Sequence, residues 1–141
     1  MKFKFFEHTA DTIFEAYGKT FEEAFANAAI ALEEVITDTR KVKPAKSVKI
    51  SARGEDMKSL LYDFLEKFLI LFDSEQMLFS DVVIKEITEK DGKFGLTAVA
   101  KGEKYDAKKH ASRTHVKAIT YHEMQIGGKA GKKYVRVLVD I

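Results

Sequence analysis

Ser47-Val48-Lys49-Ile50-Ser51-Ala52-Arg53, followed after Gly54-Glu55 by Asp56-Met57-Lys58-Ser59-Leu60-Leu61, is the stretch that decides the fold. Val48, Ile50 and Ala52 alternate with Lys49, Ser51 and Arg53, the period-two pattern of a half-buried strand. The period then changes. Met57, Leu60, Leu61, Phe64, Leu65, Phe68 and Leu69 recur at helical spacing, and Leu71 and Phe72 widen the same stripe. Asp56 stands where a helix N-cap belongs. The stripe reads as core, not as a ligand groove. Residues 78–88 and 93–101 read as a hairpin around Lys90-Asp91-Gly92-Lys93, because Asp-Gly supplies the positive φ angles of a tight turn. Residues 46–101 therefore read strand, helix, strand, strand.

Upstream, Lys2 and Lys4 alternate with Phe3 and Phe5 as in a strand, and residues 12–17 form a second one, leaving Glu7–Asp11 as their connection. Gly18-Lys19-Thr20 ends that strand. Thr20-Phe21-Glu22-Glu23 has the capping-box pattern, with Thr20 as N-cap and Glu23 reaching back. Phe21, Ala24, Phe25, Ala28, Leu32 and Val35 then mark one helical face, and the many alanines predict close packing on a sheet. Residues 37–46, with the single Pro44, break the pattern. Downstream, residues 102–117 are basic and aperiodic and read mostly as loop. Residues 118–126 and 133–140 read as a closing hairpin whose flexible basic tip is Gly127–Lys133. The expected architecture is one α+β domain over residues 1–141, a two-layer mixed or antiparallel sheet packed by two main helices.

A chain of 141 residues suits one domain. It has no cysteine, which excludes disulfides, thiolate nucleophiles and cysteine-zinc sites and fits a reducing compartment. No run approaches the ~20 apolar residues of a membrane span, and the N-terminus lacks a signal-peptide core. The expected location is the cytoplasm. The net charge of +2 is split: residues 1–100 carry 14 Lys/Arg against 18 Asp/Glu, and residues 101–141 carry 10 against 4. Such asymmetry is compatible with an anionic partner on one face, and equally with ordinary solubility.

Two short acidic stretches stand at the ends of the chain, Glu7-His8-Thr9-Ala10-Asp11 and Val139-Asp140-Ile141. If they meet, Asp11, Asp140 and the Ile141 carboxylate offer the oxygen ligands that hard cations take. Spacing leaves the alternative open, with Asp11 capping a turn and Asp140 pairing with a lysine. His110, His115 and His122 lack the spacing of a zinc helix. His122-Glu123 is an adjacent acid–base pair and no more. Gly128-Lys129-Ala130-Gly131-Lys132 is too short for a phosphate loop and reads as a hairpin tip. No nucleophile elbow or dinucleotide fingerprint is present. A binding or activating protein fits better than an enzyme. In the basic segment, Lys109, His110 and Lys117 could reach a protein partner or RNA phosphates, although Tyr105 is its only aromatic residue.

Several stretches, in this order, resemble the archease family along the whole chain: His8-Thr9-Ala10-Asp11, Ala16–Phe25, Leu60–Leu65, Lys109-His110, Val116–His122 and Asp140-Ile141. The resemblance implies an accessory protein of tRNA splicing and RNA repair. It would assist the RtcB-type RNA ligase by promoting guanylylation of the ligase and multiple turnover. Modulation of a tRNA cytosine methyltransferase in a chaperone-like way, or stand-alone tRNA binding, are the alternatives. It also implies that Asp11, Asp140 and Ile141 hold a divalent ion (Ca²⁺ first, Mg²⁺ or Mn²⁺ otherwise). A functional lysine is implied at Lys109 or Lys117, with His8, His110 and His122 as further contacts to partner or RNA.

Overall fold

The computed structural model describes residues 1–7 and 11–141, and for Glu7 the backbone. Its elements are β1 (Phe3–Glu7), β2 (Asp11–Gly18), α1 (Phe21–Ile36), a short 3-10 turn (Thr39–Lys41), β3 (Lys46–Gly54), α2 (Met57–Glu75), β4 (Met77–Lys90), β5 (Lys93–Lys104), β6 (Ala118–Lys129) and β7 (Lys132–Asp140). The strands form two sheets, β1-β2-β7-β6 and β3-β5-β4, and every pairing is antiparallel. The α+β architecture and the strand–helix–strand–strand unit stand as expected. The sheet, however, is divided in two.

Each helix packs against both sheets: α1 against β4 on one side and β2 and β7 on the other, α2 against β3 on one side and β6 on the other. This explains the composition of α1. Ten of its 16 residues are buried, among them Ala24, Ala26, Ala28, Ala29 and Ala31. A helix wedged between two layers is apolar nearly all round and needs small side chains where a backbone comes close. Gly18 serves the same approach, since a Cβ there would stand 2.5 Å from the Ala24 amide nitrogen.

The helix starts follow the sequence with one difference. Thr20 accepts from the Glu23 amide at 3.2 Å, but the Glu23 carboxylate reaches past Thr20 to the Lys19 amide at 3.4 Å. Asp56 and Ser59 form a full capping box on α2. In the hairpin of β4 and β5, Asp91 and Gly92 have φ of 54° and 75°, the pair of positive angles that matches strand twist. The closing hairpin is longer than the apolar pattern suggests. β6 and β7 pair out to Lys129 and Lys132, so the glycines at 127 and 128 lie within the ladder. The turn is only Ala130-Gly131. Backbone pairing, not side-chain pattern, carries the strands into this segment.

One buried carboxyl interrupts the apolar wedge. Glu33 of α1 is fully buried. Its Oε1 accepts from the Phe79 amide at 2.8 Å, next to the β4 bulge between Phe79 and Asp81. Oε2 has no partner among the described residues. Burial pushes the carboxyl up from 4.5 to about 8, against the pull of the Phe79 amide. Between those two values the unfolded chain gives up a proton that the folded chain keeps, so stability falls as pH rises through this window. Glu33→Gln keeps an acceptor for Phe79 and cannot ionise. By chemical denaturation it should be more stable than the parent near pH 8, by on the order of a few kcal/mol. The difference should close near pH 4.5.

Candidate functional site

β2 and β7 are the two inner strands of the larger sheet. Their register pairs Asp11 with Asp140, Ile13 with Leu138, Glu15 with Arg136 and Tyr17 with Tyr134. Phe14, Ala16, Val135, Val137 and Val139 are buried against the helix layer, so alternation turns the Asp11–Tyr17 and Tyr134–Asp140 sets to the outer face. Residues directly opposite in an antiparallel pair have Cβ atoms about 4.5–5.5 Å apart. Asp11 and Asp140 therefore stand side by side at one end of the sheet. Asp140 is exposed, Asp11 half-buried, and Ile141 packs partly buried against the core.

The outer face is not uniformly wet. Ile13 and Leu138 are buried at 2% and 4% exposure, and Arg136 stacks over Phe6, 4.9 Å from its centroid. Behind them Arg136 pairs with Glu15 at 2.8 Å. The apolar stretch thus separates the acidic end from the rest of the face.

The connection from β5 to β6 runs back to this acidic end. The Lys117 amide donates to the Asp140 carbonyl at 2.8 Å, and Ala118 pairs with Asp140 on that same side of β7, opposite β2. Arg113 ties the connection to the end of α1. Its amide donates to the Ile36 carbonyl at 3.0 Å, and its guanidinium meets Glu34 at 2.6 Å and Asp38 at 3.8 Å. Asp38 is held down to about 2, first by Arg40 and further by Arg113. Asp11, Thr12, Glu34, Arg113 and Thr114 line one open cleft of about 490 Å³ here, with Phe5 and Phe6.

The other residues singled out in the sequence fall in different places. Lys117 is exposed beside Asp140. His122 is exposed on β6, where the β6–β7 register breaks between Thr120 and Gln125 and Glu123 takes a φ of 56°. Lys109 is bound to Glu103 at 2.6 Å. His8 lies outside the described residues. His110 corrects the expectation of a surface contact: it is buried, at 4% exposure. Its Nδ1 accepts from the Asp106 amide at 2.9 Å, so the ring proton sits on Nε2 and is donated to Glu103 at 2.8 Å. Glu103 also accepts from the Lys43 amide at 2.9 Å. Lys109 first, then the Lys43 amide, hold its carboxyl down to about 2. His110 is thus a strut that shapes the connection. Local pattern does not mark it, because its partners are a backbone amide and a carboxylate on β5.

As a donor set the acidic end is small and hard. Among the described residues no three His, Cys, Asp or Glu side chains gather as a metal cage. Asp11 and Asp140 offer carboxylate oxygens from adjacent strands. Two carboxylates suit a divalent ion that shares its coordination with water or phosphate.

Residues 3–141 match the model of the Archease protein family (MTH1598/TM1083). Protein archease of Sulfurisphaera tokodaii is 48% identical over 140 residues, 99% of this chain and 99% of its own. Protein archease of Pyrococcus furiosus is 49% identical over 121 residues, 86% of this chain and 84% of its own. The solution structure of Methanobacterium thermoautotrophicum protein 1598 superposes with a TM-score of 0.83 at 41% identity, covering 99% of both chains. A crystal structure from Thermotoga maritima, described as an archease and possible chaperone, superposes with a TM-score of 0.59 at 20% identity. It covers 96% of this chain and 94% of its own, a likeness of fold alone.

The strut and the exposed lysine make opposite predictions for stability. His110→Ala empties a buried position and strands the part-buried Asp106 amide and one bond of Glu103, and should lower unfolding free energy by about 2–3 kcal/mol. Lys117→Ala removes an exposed side chain and should stay within about 0.5 kcal/mol of the parent. Urea denaturation of the two variants beside the parent measures both.

Proposed function

The chain belongs to the archease family, and on that premise we propose that it activates the RtcB-type RNA ligase of tRNA splicing and RNA repair without being the catalyst. It would promote ligase guanylylation and repeated turnover. The observation that supports this reading most is the pairing of Asp11 with Asp140 across β2 and β7. It brings together two acidic motifs that lie at opposite ends of the sequence.

Asp11 and Asp140, with the Ile141 carboxylate, would hold a divalent cation such as Ca²⁺, Mg²⁺ or Mn²⁺. Such an ion supplies charge neutralisation at a triphosphate and polarises its phosphorus–oxygen bonds. The contribution of this chain is to present the acids at the rim of the molecule, on a rigid sheet end. So few protein ligands leave coordination positions for phosphate oxygens brought by a partner. The β5–β6 connection, anchored by Arg113 and His110, presents Lys117 next to the acids and Lys109 beside Glu103. These lysines would contact the ligase or its RNA. The description of the Thermotoga relative as a possible chaperone motivates a second reading, chaperone-like action on a tRNA cytosine methyltransferase.

Ca²⁺ or Mn²⁺ should raise the melting temperature of the parent by mass action and leave Asp11→Asn and Asp140→Asn unmoved. Ligase–GMP formation with either variant should fall by about tenfold or more, a loss of ~1.4 kcal/mol in barrier lowering. A protein whose chain continues past Ile141 through a peptide bond should be weakened in both assays, whereas an N-terminal tag should be harmless. Unchanged guanylylation with both aspartate variants would dismiss the ligase reading. Rescue of an aggregating methyltransferase by those same variants would favour the chaperone reading.

A further inference from the structure

The opposite end of the β2–β7 pair has a different character. Seven residues separate Asp11 from Gly18 along β2, about 23 Å at ~3.3 Å per residue. There Tyr17 faces Tyr134 and Gly18 faces Lys133. An open cleft of about 840 Å³ lies at this end, with Lys2, Lys19, Lys132 and Lys133 on its rim and Tyr17 and Tyr134 in its wall. Much of its lining comes from the Ala16–Phe25 stretch and from the tip of the closing hairpin.

Among the described residues, none of these four lysines forms an ion pair. Lys133 turns to the helix side, where it lies over the Phe21 ring, 4.8 Å from its centroid. The two carboxylates of the cleft are engaged: Glu15 with Arg136 at 2.8 Å and with the Tyr17 hydroxyl at 2.9 Å, and Glu23 with the Lys19 amide at 3.4 Å. By contrast, two cations of the basic connection, Lys109 and Arg113, are ion-paired.

The cleft also has a flat aromatic wall. Gly127 pairs with Tyr134, and a Cβ at 127 would stand 3.0 Å from Tyr134 Cε1. The glycine therefore lets the ring lie close over the neighbouring strand, while its hydroxyl donates to Gln125 at 3.3 Å. Asn27 donates to the Tyr17 carbonyl at 2.7 Å, which fixes its amide at the cleft wall.

We propose that this cleft binds a single-stranded RNA segment, with its phosphates on Lys2, Lys19 and Lys132 and a base stacked on Tyr134. A volume of this size accepts a nucleotide unit. The lysines come from the ends of three neighbouring strands, a row about 10 Å wide at ~4.8 Å per strand. A row that wide engages more than one phosphate, and lysines with an aromatic wall are the combination that grips single strands. The inference adds an RNA grip to the ligase reading and does not depend on it.

The test is fluorescence anisotropy of a labelled single-stranded RNA decamer with the protein alone, across a salt series. Lys19→Glu/Lys132→Glu, at two exposed positions, should weaken binding at least about tenfold and lower the log–log salt slope by about 1.4, at ~0.7 per phosphate contact. Tyr134→Phe should bind like the parent, and Tyr134→Ala about fivefold or more weaker. Millimolar GMP competing as well as the decamer would replace the strand by a free nucleotide and overturn the RNA assignment. Equal competition by polyglutamate would overturn it in favour of an acidic protein surface. Decamer binding untouched by the double variant, but lost in Lys109→Ala/Lys117→Ala, would move RNA to the other end. Guanylylation of the ligase without RNA should be normal with Lys19→Glu/Lys132→Glu, so failure of the ligase reading leaves this result separately readable.

Discussion

The antiparallel pairing of β2 with β7 is the constraint on which the rest of the molecule depends. It joins residues 11–18 to residues 133–140, almost the full length of the chain, and it occupies the middle of the larger sheet. A slip of one residue would turn Phe14, Ala16, Val135, Val137 and Val139 out of the core, so burial sets the register strongly. The same register decides what stands at each end of the ladder: two aspartates at one, glycine and lysine at the other. The residues at the two ends are thus placed by a packing requirement that acts on their alternate neighbours.

The helix layer adds the second constraint. Because α1 touches both sheets, it has no broad face left for polar side chains, and the alanines answer that. Glu33 is the exception. Its bond to Phe79 satisfies an amide where the β4 bulge disturbs the ladder. A buried acceptor is useful there, yet the free carboxyl must stay protonated in such surroundings. The bulge and the buried acid are therefore one feature, with its electrostatic cost set by the burial of the carboxyl.

Local pattern made much of this legible. The switch from period two to period 3.6 between Ala52 and Leu60 located β3 and α2, and Asp91-Gly92 located the hairpin. The acidic motifs at Asp11 and Asp140 could be seen as residue types, but their meeting could not, because a strand pattern does not name its partner. The division into two sheets was hidden for the same reason. His110 was misread because a buried histidine beside lysines looks like a member of a basic surface until its partner Glu103 on β5 is known. The far cleft was out of reach too, since its lysines lie at positions 2, 19, 132 and 133 and only the register gathers them.

A chain that carries acids at one end of a sheet and lysines at the other would be self-defeating if the two fields cancelled. They do not. At physiological ionic strength the screening length is about 8 Å, and the two ends stand ~23 Å apart along β2. Between them lie Ile13, Leu138 and Phe6, and the only charges on that stretch of β2 and β7 are Glu15 and Arg136, which neutralise one another at 2.8 Å. Each end therefore presents its own sign of charge. A cation or a triphosphate complex at the aspartates and a polyanion at the lysines are compatible on one rigid sheet. The length of one strand pair is what keeps the two ends apart.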